Sequence, residues 1–86
     1  VNFIEDSELL KTLGHPLRLK IVCGLMAQSG CNVNDMALRL KAPQSTVSQQ
    51  LGILRRNGVI APQKTGVKTC YRIIEKRVEK ILEILK

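Results

Sequence analysis

The stretch "PQSTVSQQLGILRRNG" at residues 43–58 constrains the fold of this 86-residue chain more than any other. Pro43 interrupts whatever precedes it and suits the start of a helix, and Asn57-Gly58 ends that helix. Between them Val47, Leu51 and Leu54 recur at i, i+4 and i+7, forming one apolar seam. Ser45, Ser48, Gln49, Gly52 and Arg56 fall on the opposite stripe. Serine and glycine are poor helix formers, glycine by about 1 kcal/mol relative to alanine, so helix stability does not explain that stripe. Entry into a DNA major groove does: hydroxyls and amides reach base edges there, and bulky side chains would hold the backbone away. Gln49 suits adenine, Ser45 and Ser48 suit base or phosphate, and the helix N-terminus favours phosphate. A small-residue face packed on another helix is the competing reading, against which the interspersed Gln49, Gln50, Arg55 and Arg56 argue.

Charge points the same way. The chain holds 14 Lys and Arg against 7 Asp and Glu, a net +7. Residues 36–74 contain Arg39, Lys41, Arg55, Arg56, Lys64, Lys68 and Arg72 and no acid, while the flanking segments are close to neutral. A merely solvated surface usually mixes signs, so an acid-free segment favours a polyanion partner. Phe3 and Tyr71 are the aromatic residues, too few for a stacking platform on single strands, and the core must be aliphatic. A hydrophobic content of 44% argues against disorder.

Eighty-six residues suffice for one small domain, which leaves much apolar surface that dimerisation would cover. No apolar run approaches the roughly 20 residues of a membrane span, and no secretory segment is expected. Cys23, Cys31 and Cys70 are odd in number and irregularly spaced and do not read as a disulfide framework. The expected address is the cytoplasm, with no membrane partner.

Along the chain, "SELLKTLG" (7–14) reads as a helix capped by Ser7 and stopped by Gly14. Residues 15–30 restart a helix at Pro16, with Leu17, Leu19, Ile21, Val22, Leu25 and Met26 over so wide an arc that it should be central. Residues 32–42 form a short helix with Met36, Ala37 and Leu40 inward. "VIAPQKTGVKTCYRII" holds two β-prone runs around Thr65-Gly66, with Pro62 suited to an edge strand. The last helix carries Val78, Ile81, Leu82 and Leu85 on one stripe. The predicted fold is mainly α with a small β-hairpin, a winged helix-turn-helix of order α-α-α-α-β-β-α over residues 1–86. The recognition helix is placed at 44–57 and the wing at 59–74. Apolar terminal helices at 5–13 and 75–86 are expected to form a homodimer interface.

"LKTLGHPLRLKIV", "VNDMALRL", "QSTVSQQLGILRRNGVI" and "KTCYRI" together resemble the successive signatures of the ArsR/SmtB family of bacterial winged-helix repressors, over about residues 7–74. The resemblance implies a homodimer that binds operator double-stranded DNA and leaves it when a signal is sensed. By position, Gln44, Ser45, Thr46, Ser48 and Gln49 would read or grip DNA, with Arg55 and Arg56 at the far end of the helix and Lys64 and Lys68 in the wing. Gly52 departs from the basic or polar residue often found there.

The family's metal sensors often carry Cys-x-Cys where this chain has Asn32 and Asn34, and neutral amides do not capture soft metals. A second family site on the last helix would need carboxylates and imidazoles, where Glu75 and Arg77 stand with no histidine following. His15 reads as a turn or helix-start residue, so no metal and no cofactor is expected. Some members that sense oxidants or reactive sulfur have a cysteine in the context of Cys23, paired with one on the final helix, which is absent here. Cys23 and Cys31 are the candidate redox residues. They lie eight positions apart, about 12 Å along an ideal helix and beyond disulfide reach. Cys23 reads first as a small core residue, and Cys70 as structural. A thiol-sensing repressor using Cys23 is one alternative. A winged-helix protein-interaction module is a second, since fold alone does not imply DNA binding. An enzyme is disfavoured by the single histidine and the lack of a phosphate loop or paired acids near a nucleophile.

Overall fold

The computed structural model describes residues 1–28 and 30–85, and the side chains of all of these except Thr65. Five helices and one hairpin follow in the expected order: α1 Phe3–Leu13, α2 Pro16–Met26, α3 Val33–Leu40, α4 Gln44–Arg56, β1 Ile60–Thr65, β2 Lys68–Ile73 and α5 Arg77–Leu85.

Helix α1 begins a turn earlier than Ser7 predicts. Asn2 is the cap: its side-chain oxygen accepts the Glu5 N–H at 3.1 Å, while the Ser7 hydroxyl lies inside the helix and donates to the Ile4 carbonyl. Helix α2 starts at Pro16 with His15 as its cap, the imidazole Nδ1 accepting the Leu17 N–H at 3.2 Å, which is the helix-start role expected of it. It ends at Met26 rather than at Gly30 because Gln28 turns left-handed, φ 55°. Helix α3 is capped by Asn32 and stopped by Lys41, which also takes a left-handed conformation. Helix α5 starts at Arg77, two residues after the expected boundary, and its expected end at Lys86 lies outside the described residues.

The core is aliphatic throughout. Leu9 and Leu13 of α1, Ile21 and Val22 of α2, Met36 of α3, and Val47, Leu51 and Leu54 of α4 are buried together with Val59, Ile60, Val78 and Leu82. The seam of α4 is therefore the one its periodicity predicts. Helix α2 is central, as its wide apolar arc suggests: it packs against α1, α3, α4 and β2, with Ile21 and Val22 fully buried and Leu17, Leu19, Leu25 and Met26 half-buried against the cluster. On α5, Val78 and Leu82 are buried and Ile81 half-buried, but Leu85 is exposed.

The hairpin pairs antiparallel from Ile60–Ile73 to Thr65–Lys68, so Gly66-Val67 is the two-residue turn and Gly66 supplies the positive φ of 66°. Its base is held by the Val59 carbonyl, which accepts the N–H groups of Ile74 at 2.9 Å and Glu75 at 3.3 Å. Pro62 sits opposite Tyr71 in this two-stranded sheet, where each strand is an edge.

Two cysteine expectations are overturned. Cys31 and Cys70 are bonded to each other, with Cα atoms 4.6 Å apart across 39 positions of sequence. Cys23 is not a core residue: it is exposed on α2 and is the free cysteine among the described residues.

Candidate nucleic-acid interface

Helix α4 is held from behind by a cation. Arg18 on α2 donates from Nε to the Thr12 carbonyl at 2.6 Å, from Nη1 to Gln50 Oε1 at 3.0 Å and from Nη2 to the Lys11 carbonyl at 3.5 Å. One guanidinium thus satisfies carbonyls at the C-terminal end of α1 and grips the inner shoulder of α4. The front of α4 is left open. Gln44, Ser45, Ser48 and Gln49 are exposed, Thr46 is half-buried, and Gly52 is half-buried.

The first turn of α4 has no side-chain cap, because its cap residue is Pro43. The N–H groups of that turn, without side-chain partners among the described residues, carry the positive end of the helix dipole. Gln44 donates its amide to the Asn34 side-chain oxygen, tying the start of α4 to α3. Asn32 caps α3, so the two amides at the metal-sensor positions both serve the fold.

The wing closes this face on one side. A cleft of about 290 Å³ lies between the starts of α3 and α4 and the hairpin tip, bordered by Gln44 and Lys68 among others. Lys64, Lys68, Arg55 and Arg56 are exposed. Arg56 folds back over Gly52: a Cβ at that glycine would lie 3.3 Å from its Nη1. A larger residue at 52 would displace Arg56, so one cation covers ground that two side chains would otherwise share.

Arg39 leaves the basic surface. Its guanidinium lies against α2 at Gly24, where an added Cβ would overlap it, and Nη1 and Nη2 are buried with no hydrogen-bond partner among the described residues. Nothing in its sequence neighbourhood signals this; the opening that admits it is the missing side chain of Gly24. Cys31 and Cys70 join the segment before α3 to β2 of the wing, and Cys23 lies apart from them in a groove of about 580 Å³ between α2 and α3.

Away from this face, Arg77 joins the terminal helices, with Nη1 2.6 Å from Asp6 and Nε 2.7 Å from Glu75. The adjacent guanidinium lowers the Glu75 carboxyl below its ordinary range, and the two carboxylates raise Arg77.

A helix pair with one exposed recognition face, followed by a basic two-stranded wing, defines a winged helix-turn-helix protein. Residues 15–61 match the family described as "Bacterial regulatory protein, arsR family". Over 81 residues the chain is 43% identical to the transcriptional repressor PagR of Bacillus anthracis, covering 94% of this chain and 81% of that protein. It is 39% identical to a biofilm growth-associated repressor of Agrobacterium fabrum, covering 94% and 68%. The crystal structure of PagR superposes with a TM-score of 0.88 at 42% identity, covering 98% of this chain and 95% of that one. Reduced HlyU from Vibrio cholerae gives 0.89 at 31% identity, covering 98% and 87%. The chain belongs to the arsR family of bacterial regulatory proteins.

Proposed function

We propose that this chain is a transcriptional repressor that binds operator DNA sequence-specifically as a homodimer. The observation that carries the reading is the exposed face of α4, whose uncapped first turn and short polar side chains stand beside the basic wing. Gln49 reads a base edge from the major groove, and Gln44, Ser45, Thr46 and Ser48 take base or phosphate contacts. Arg55, Arg56, Lys64 and Lys68 neutralise phosphates on either side. PagR and the A. fabrum relative are named repressors. A V. cholerae relative at 32% identity is named a transcriptional activator, and the higher identity to the repressors favours repression.

The dimer uses the terminal helices. Phe3, Ile4 and Leu10 on α1 and Ile84 and Leu85 on α5 are exposed, on the two helices that Arg77 joins to each other. Pairing with a second copy covers this apolar surface and sets two α4 helices for successive major-groove half-sites.

Footprinting on the DNA upstream of its own coding sequence tests the proposal. Two protected half-sites separated by a whole number of helical turns are expected. Uniform, unphased protection would indicate a general polyanion surface and would favour a protein-interaction module.

A further inference from the structure

Cys31 is the last residue before the cap of α3, and Cys70 lies in the middle of β2 opposite Gln63. Between them in sequence stand α3, α4 and the wing tip. The Cys31 carbonyl accepts the Tyr71 N–H at 2.9 Å, so the segment entering α3 runs beside β2. A Cα separation of 4.6 Å is that of directly opposed residues in adjacent strands, so the backbone can hold two thiols face to face as readily as a disulfide. Both residues are half-buried, and Cys31 borders a cleft of about 430 Å³ between the end of α2 and β2 that admits small reagents.

We propose that Cys31 and Cys70 form a reversible dithiol–disulfide switch, closed by hydroperoxides, that fixes the wing to the helix-turn-helix and so raises DNA affinity. The proposal rests on the DNA-binding reading above. A protein that acts on genomic DNA works where thiols are kept reduced, and a disulfide there is usually transient or redox-sensing rather than a permanent staple. Lys68 lies two residues from Cys70 on the same face of β2, so the bond acts close to the wing's expected phosphate contact. Without it, the Tyr71–Cys31 backbone hydrogen bond still joins β2 to that segment, and the base stays anchored at Val59.

Chemically, one cysteine thiolate attacks an oxygen of hydrogen peroxide. The O–O bond breaks, a sulfenic acid forms, and hydroxide leaves and is protonated to water. The second thiol attacks that sulfur, the S–S bond forms, and a second water leaves. Two thiols thus give two electrons and two protons to one peroxide. A dithiol reductant reverses the step by two thiol–disulfide exchanges.

The test uses the whole chain, reduced with dithiothreitol or oxidised with hydrogen peroxide. Peptide mass analysis after alkylation reads the thiols, and anisotropy reads binding to upstream and scrambled DNA. A Cys31–Cys70 cross-linked peptide is expected only after peroxide, with upstream DNA bound about tenfold tighter by that form, because an ordered wing loses less entropy on binding. Cys23→Ser keeps the response, and Cys70→Ser stays at the reduced affinity under both treatments. Circular dichroism of the reduced wild-type chain separates a switch from unfolding: retained helicity with weaker binding supports the switch, and lost helicity overturns it in favour of a structural staple. Failure of peroxide to form the bond overturns it as well. Equal, selective affinity in both states overturns the switch and leaves the repressor. No preference for upstream DNA in either state removes the DNA-binding reading and the switch with it.

Discussion

Arg18 Nη1 donates to Gln50 Oε1 at 3.0 Å while the same guanidinium holds two carbonyls of α1, so the pair sets where α4 sits in the fold. Gln50 is on the helix that faces solvent through Ser48 and Gln49, yet its own side chain points back toward α2. Hydrogen bonds to a charged donor are worth about 1.5–3 kcal/mol each when partly buried. Arg18→Ala is therefore expected to destabilise the chain by about 2 kcal/mol and Gln50→Ala by about 1 kcal/mol. Urea unfolding of both singles and the double variant would measure this. Strictly additive losses would show that the pair is not coupled.

Gln49 and Lys68 are expected to behave differently on DNA. Gln49→Ala should cost about 1–3 kcal/mol on the preferred sequence and relax discrimination at one base pair. Lys68→Ala should weaken binding to all sequences alike and lower the salt slope by about 1. Competition with single-base variants of the site, repeated at several salt concentrations, separates the two. An identical signature for both variants would contradict the assignment of base reading to α4.

Gly24 gives a prediction of opposite sign to the usual one for a buried glycine. The group that a Cβ would meet is the end of the flexible Arg39 side chain, whose buried nitrogens lack partners among the described residues. Gly24→Ala pushes that guanidinium toward water and improves helix propensity by about 1 kcal/mol. Stability unchanged or raised by up to about 1 kcal/mol is expected in thermal melts. A large loss would mean that Arg39 packs irreplaceably against α2.

The Asp6–Arg77–Glu75 cluster predicts a weak acid limb. The Glu75 carboxyl is depressed in the folded chain, so its stabilising contribution is present above the ordinary carboxylate value and is lost as pH falls through the folded value. Arg77→Gln should flatten that limb, and added salt should do the same in part, because these groups are partly exposed to solvent. Unfolding curves between pH 3 and 7 would show it. A limb unchanged in the variant would assign acid sensitivity to other groups.

Much of this was legible in the sequence because it rests on periodicity. The Val47, Leu51 and Leu54 seam fixes which face of α4 is buried, and hence that Ser45, Ser48 and Gln49 are outside. Gly66 marks the hairpin turn for the same local reason. The true start of α1 was hidden because Phe3 and Ile4 are apolar but exposed, so they add nothing to the pattern of a buried face, and Asn2 caps from outside the expected segment. The Cys31–Cys70 pairing was hidden because it depends on the segment before α3 lying along β2, a register that no sequence spacing expresses. Arg39 reads as one more surface cation, and only the space above Gly24 turns it inward.

The most direct test of the central claim is anisotropy of the chain on the DNA upstream of its own coding sequence, against scrambled DNA of the same length, over a salt series. An operator-binding repressor is expected to prefer the upstream DNA by about a thousandfold or more and to lose affinity steeply with salt. Weak binding that is equal on both DNAs would contradict that claim.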